Sequence, residues 1–143
     1  MTTKLTAEDV IRKQTEAWNR HDSAAVAAGY TRNAVVLDPA YSEPLSGSEA
    51  IKKDAADFFA AFPDITLRVT KVLAEGDTVA FEAMVSGTHT GPLQMPTGLI
   101  PATKKRLEFS AAGFLNLDAT GNIREERRYY DVAGQLTQLG VMQ

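Results

Sequence analysis

Residues 65–85 read ITLRVTKVLAEGDTVAFEAMV, and this stretch decides the fold class. Ile65, Leu67 and Val69 alternate with polar residues, and Val72-Leu73 continue the run. Glu75-Gly76-Asp77 then supplies a turn, after which Val79, Phe81, Ala83 and Val85 share one face with Glu82 on the other. Period-2 alternation on both sides of a Gly-containing turn predicts two antiparallel strands joined as a hairpin. Upstream the period is 3.6. Val10, Ile11, Gln14, Ala17 and Trp18 recur at helical spacing, and Thr6 with Asp9 forms a capping box, so a helix is expected over Thr6–Asn19. Asp22 caps a short second helix, Ser23–Tyr30, and Ala34–Leu37 is a β-type run ending at Asp38-Pro39. Ser46 and Glu49 predict a second capping box, opening a helix that Pro63 stops after Phe62. Downstream, Thr90–Thr103 holds three prolines and two glycines and is expected to be a long loop. Strands are predicted over Lys105–Asp118 and Asn122–Val132, then one helical turn in GQLTQLG, residues 134–140. Three helices ahead of a run of hairpin-linked strands predict an α+β domain, with the helices on one face of a curved, mainly antiparallel sheet. No helices separate the later strands, which argues against a doubly wound parallel sheet.

The 143 residues suit a single domain spanning 1–143, and 44% hydrophobic residues suffice for a substantial core, which excludes a disordered regulator. A net charge of −3 argues against nucleic-acid binding through bulk charge. Without cysteine there is no disulfide, thiolate nucleophile or Cys-ligated zinc, and two histidines make a poor metal site. No metal or cofactor is expected. The opening MTTKLTAEDV has no apolar leader-like stretch and no apolar run approaches membrane-spanning length, so a cytoplasmic protein with no membrane partner is expected. Glycine-rich phosphate loops, H-E-x-x-H and G-x-S-x-G are all missing.

The chemistry-bearing candidates are few. Alternation puts Glu125, Arg127, Tyr129 and Asp131 on one face of the last strand, and Glu126, Arg128 and Tyr130 on the other. If the first face lines a cavity, Asp131 is a carboxylate in an aromatic, apolar setting, a general base with a raised pKa. The alternative is a strand-end carboxylate capping the following turn. His89 follows the Val79–Val85 face in register unless Gly87 bulges the strand. It is either a donor to an enolate oxygen or a histidine satisfied by loop backbone. Trp18 is core or cavity wall.

Several short motifs carry a resemblance that covers nearly the whole chain. These are WNRHD at Trp18–Asp22, LDP at Leu37–Pro39, PLSGSEAI at Pro44–Ile51, AFPDI at Ala61–Ile65 and AEGDTVAF at Ala74–Phe81. GTHTGPL at Gly87–Leu93, PTG at Pro96–Gly98 and YYD…QLG from Tyr129 to Gly140 complete the set. In this order and spacing the sequence resembles the SnoaL-like polyketide cyclases, or ester cyclases, of the nuclear transport factor 2-like and ketosteroid-isomerase-like superfamily. The resemblance implies a cone-shaped α+β barrel around an apolar pocket, a homodimer through the sheet, and a cofactor-independent aldol cyclisation or isomerisation of a small carbonyl compound. It implies Asp131 as acid/base; the residues themselves offer His89 as its assistant and Trp18, Tyr30, Asp38, Phe62, Arg127 and Tyr129 as candidate substrate-binding residues. Relatives usually carry tryptophan where this chain has Arg127; an arginine facing Asp131 depresses its pKa and suits an acidic ligand, so a non-catalytic small-molecule binder is the alternative.

Overall fold

The computed structural model describes residues 5–141; the first four and last two residues of the expected 1–143 domain lie outside the described residues. Helix α1 spans Ala7–Asn19, α2 Ser23–Ala28 and α3 Ser48–Ala61. The Thr6–Asp9 capping box forms reciprocally, at 3.1 and 3.2 Å, and Asp22 caps α2 through the Ala25 N–H at 3.0 Å. The box expected at Ser46 does not form. Strand β1, Tyr30–Leu37, pairs with a two-residue strand β2, Leu45–Ser46, which holds Ser46 extended opposite Val35. The N-cap position of α3 therefore falls on Gly47, whose φ of 89° suits glycine and which offers no side-chain acceptor.

Strands β3 (Thr66–Glu75) and β4 (Thr78–Thr88) form the expected hairpin. The segment expected to be a loop contains a small separate hairpin, β5 (Leu93–Met95) with β6 (Gly98–Ile100). Strands β7 (Arg106–Leu117) and β8 (Ile123–Tyr129) follow, then α4 (Val132–Gln138). The main sheet has order β2-β1-β8-β7-β4-β3, antiparallel except for the parallel pair β1–β8, and curls into an open cone. Helices α1 and α3 pack across its concave side, burying Val26, Ile51, Phe62 and Ile123 completely. Among the described residues no helix is long and apolar enough to cross a membrane.

Two features of register position the site. The β4–β7 ladder runs unbroken through Gly87, opposite Leu107, so no bulge intervenes and His89 stays on the inward face. Strand β8 does bulge. Ile123 stands opposite Leu117 and Glu125 opposite Asn116, so one extra residue, Arg124, is inserted. Counting by twos from buried Ile123 would turn Glu125, Arg127 and Tyr129 inward; the extra residue turns in Glu126, Arg128 and Tyr130 instead.

Candidate functional site

Between helices and sheet lies a cavity of about 170 Å³. Trp18 of α1 and Phe58 of α3 wall one side, and Phe81, Phe109 and Leu115 of the sheet the other. Leu93 and Met95 of the small hairpin and Gln135 of α4 add to the lining. An apolar cavity near this size accepts a single small ring.

One end is polar, because the β8 bulge delivers charge to the concave face. Arg128, opposite Gly113, reaches Asp38 at 3.0 Å and Asp54 at 2.8 Å through Nη1, and Glu126 at 3.4 Å through Nε. Three tyrosines donate to the same carboxylates. Tyr130 bonds Asp38 at 2.5 Å, Tyr41 bonds Asp54 at 2.9 Å, and Tyr30 bonds Glu126. The Ala40 N–H adds a fourth donor, to Asp38 at 2.8 Å. Burial opposes the charge on Arg128, but Glu126, Asp54, Tyr30 and Asp38 outweigh it and hold the guanidinium well above the usual arginine value. Burial, then the neighbouring carboxylate, pushes the phenols of Tyr30, Tyr41 and Tyr130 up from their ordinary value of 10, so all three stay neutral donors. Among the described residues no group of three His, Cys, Asp or Glu is placed to hold a metal ion; a guanidinium occupies the centre of these carboxyls.

Trp18, Tyr30 and Asp38 line the cavity, as expected of substrate-binding residues. The other five expected site residues lie elsewhere. Asp131 is exposed and is the N-cap of α4, accepting from the Gly134 N–H at 2.8 Å. Its expected place on the cavity wall is thus corrected: the bulge at Arg124 reverses which face of β8 turns inward, and beyond Tyr129 the chain leaves the strand to start α4. The same reversal puts Arg127 and Tyr129 on the outer face. Arg127 pairs with Glu125 at 2.9 Å, and Tyr129 packs edge-on against Phe114. Phe62 and His89 are fully buried behind the cavity, stacked at 5.2 Å. Thr103 donates to His89 Nδ1 from its backbone N–H (3.2 Å) and bonds it through Oγ1 (2.9 Å), closing the base of the segment that carries β5 and β6. Arg127 and His89 therefore do not converge on an acidic ligand.

Sequence alone did not single out Asp54 or Tyr41, and it placed Glu126, Arg128 and Tyr130 only as the opposite face of the last strand. Asp54 carried a signal, since it sits three residues after Ile51 and four before Phe58, an acid on the apolar face of α3. Arg128 carried none, because alternation alone does not reveal a bulge.

The sequence profile described as SnoaL-like polyketide cyclase matches residues 8–139. No curated protein matches the sequence. Among solved structures, one from Jannaschia sp. CCS1 described as a SnoaL-like polyketide cyclase superposes with TM-score 0.82 at 18% identity, covering 96% of this chain and 93% of that one. IdmH of Streptomyces antibioticus, described as a polyketide cyclase, gives 0.76 at 25% identity, covering 96% and 100%. AclR of Streptomyces galilaeus, described as a hydroxylase, gives 0.78 at 23%, covering 96% and 97%.

Proposed function

The chain belongs to the SnoaL-like polyketide cyclase family, and from that premise we propose a cofactor-independent enzyme that acts on a small, mainly apolar carbonyl compound by general acid–base catalysis. The observation that carries this reading is the hydrogen-bonded chain Tyr130–Asp38–Arg128–Asp54 at one end of an otherwise apolar cavity. A base must reach the proton it removes, so in this reading the base is Asp38 on the cavity wall and not Asp131. The Asp38 carboxylate takes a proton from a carbon beside a carbonyl and leaves an enolate. The enolate carbon then attacks a second carbonyl of the same molecule, whose alkoxide recovers the proton from Asp38. Return of the proton to a different carbon gives isomerisation instead. Arg128, 3.0 Å from Asp38, holds that carboxylate in position, and the apolar walls keep competing water away. A homodimer through the outer sheet face belongs to the same proposal. Leu73, Phe114 and Tyr129 are exposed there, and Leu73 and Phe114 lie in one row across the strands through Ala80.

The test needs no natural substrate. In D₂O the protein is expected to accelerate α-proton exchange of a β-keto ester, followed by NMR. Asp38→Asn is expected to remove most of that acceleration, about 10²-fold or more, while Asp131→Asn keeps it. Exchange unchanged by Asp38→Asn refutes the assignment.

A further inference from the structure

The cavity lining is short of positive charge. It contains four carboxyl side chains, Asp38, Asp54, Asp57 and Glu126, against one guanidinium, that of Arg128. Lys53 offsets Asp57 from outside, at 2.6 Å, which leaves three carboxyls sharing Arg128. The hydrogen-bond inventory leans the same way. Six carboxyl oxygens have about twelve acceptor sites, and the donors that reach them are three tyrosine hydroxyls, the Ala40 N–H and the guanidinium. An incoming anion would add acceptors and negative charge where both are already in excess. A group with positive charge and N–H donors would relieve both. The rest of the lining suits the body of such a molecule: Trp18 and Phe58 form an aromatic wall on the helices, and Phe109 and Tyr130, rings 5.7 Å apart, form one on the sheet. Aromatic faces attract organic cations, more strongly once water is excluded.

We propose that the ligand of this cavity is an organic cation, a protonated amine on a ring-sized apolar body, with its ammonium toward Asp54 and Glu126 and its body between the aromatic walls. The inference rests on the cavity being the functional site. It narrows the substrate there to a carbonyl compound that also carries a basic amine, and it reverses the expectation of an acidic ligand.

Three probes of one size and different charge test it: benzylamine, benzyl alcohol and benzoate, titrated into the full chain at low salt and followed by calorimetry and ligand NMR. Benzylamine is expected to bind at least about tenfold tighter than benzyl alcohol, with benzoate weakest. Asp54→Asn and, separately, Glu126→Gln are expected to remove most of that preference while circular dichroism keeps the wild-type profile; either variant that folds suffices. Equal affinity for benzylamine and benzyl alcohol, tighter binding of benzoate, no saturable binding at millimolar concentration, or a preference unchanged in the folded variants overturns the proposal. The β-keto ester exchange is read separately. Exchange that depends on Asp38 without a cation preference refutes only this inference, and a cation preference without exchange refutes only the acid–base reading.

Discussion

Replacing Arg128 by methionine keeps an unbranched apolar stem and removes the cation shared by three largely buried carboxyls. The arginine side chain is 14% exposed, and its partners Asp38, Asp54 and Glu126 are 4%, 12% and 8% exposed, so water cannot take over its role. Removing one partner of a buried ion pair typically costs about 3–5 kcal/mol, because the remaining charge loses its compensation. A total stability of roughly 5–15 kcal/mol makes that a large fraction. With an unfolding entropy of about 2.1 cal/mol/K per residue over this chain, the same loss lowers Tm by roughly 10–17 °C. Trp18, the single tryptophan and a cavity-lining residue, reports unfolding by fluorescence in urea. The decisive measurement is the double-mutant cycle with Asp54→Asn, in which a coupling of at least about 1 kcal/mol between Arg128 and Asp54 is expected. An Arg128→Met protein within about 1 kcal/mol of wild type, or additive single variants, would refute the claim that this cluster is held by its shared cation.

Three further outcomes follow from other parts of the molecule. Asp131→Ala removes the α4 cap and is expected to cost about 0.5–2 kcal/mol in urea unfolding while leaving benzylamine binding unchanged. His89 is held below the usual histidine value by burial, partly offset by the backbone at Gly91. A folded value below the unfolded 6.5 means that the unfolded chain binds the proton first. Its contribution is present above about 6.5 and lost as pH falls through the lower folded value, so Tm should drop as pH falls below about 6.5, and by less in His89→Leu. In Gly91→Ala the new Cβ would lie 2.0 Å from the Ala60 carbonyl oxygen, a backbone atom that cannot step aside. That variant is expected to lose about 1–3 kcal/mol or more, with amide exchange faster across 90–103; wild-type exchange there would contradict the close approach.

Much of the architecture is local and was legible in the chain. Thr6 and Asp9 sit within one turn of each other, as do Asp22 and Ala25, so their caps follow from sequence neighbours alone. Alternation over 65–85 specified the β3–β4 hairpin because side chains of an extended strand must point to opposite faces. The ordered run of short motifs pointed to the family and its cone, which the profile match and the superposed structures bear out. Where a local rule met a long-range pairing, the pairing won, as Ser46 shows by joining β1 instead of capping α3. The site lay beyond such rules. Arg128 meets Asp38 across 90 residues and Asp54 across 74, contacts that no periodicity encodes. The face of β8 that turns to the cavity depends on one inserted residue, Arg124, recognisable only against its partner strand β7. The sequence by itself determined the first three helices and the long strands, their order and the presence of an apolar face, but not the short strands β2, β5 and β6. Only the tertiary structure decided which side of the last strand that face receives, because a single bulge exchanges Arg127, Tyr129 and Asp131 for Glu126, Arg128 and Tyr130 without changing one residue of the pattern.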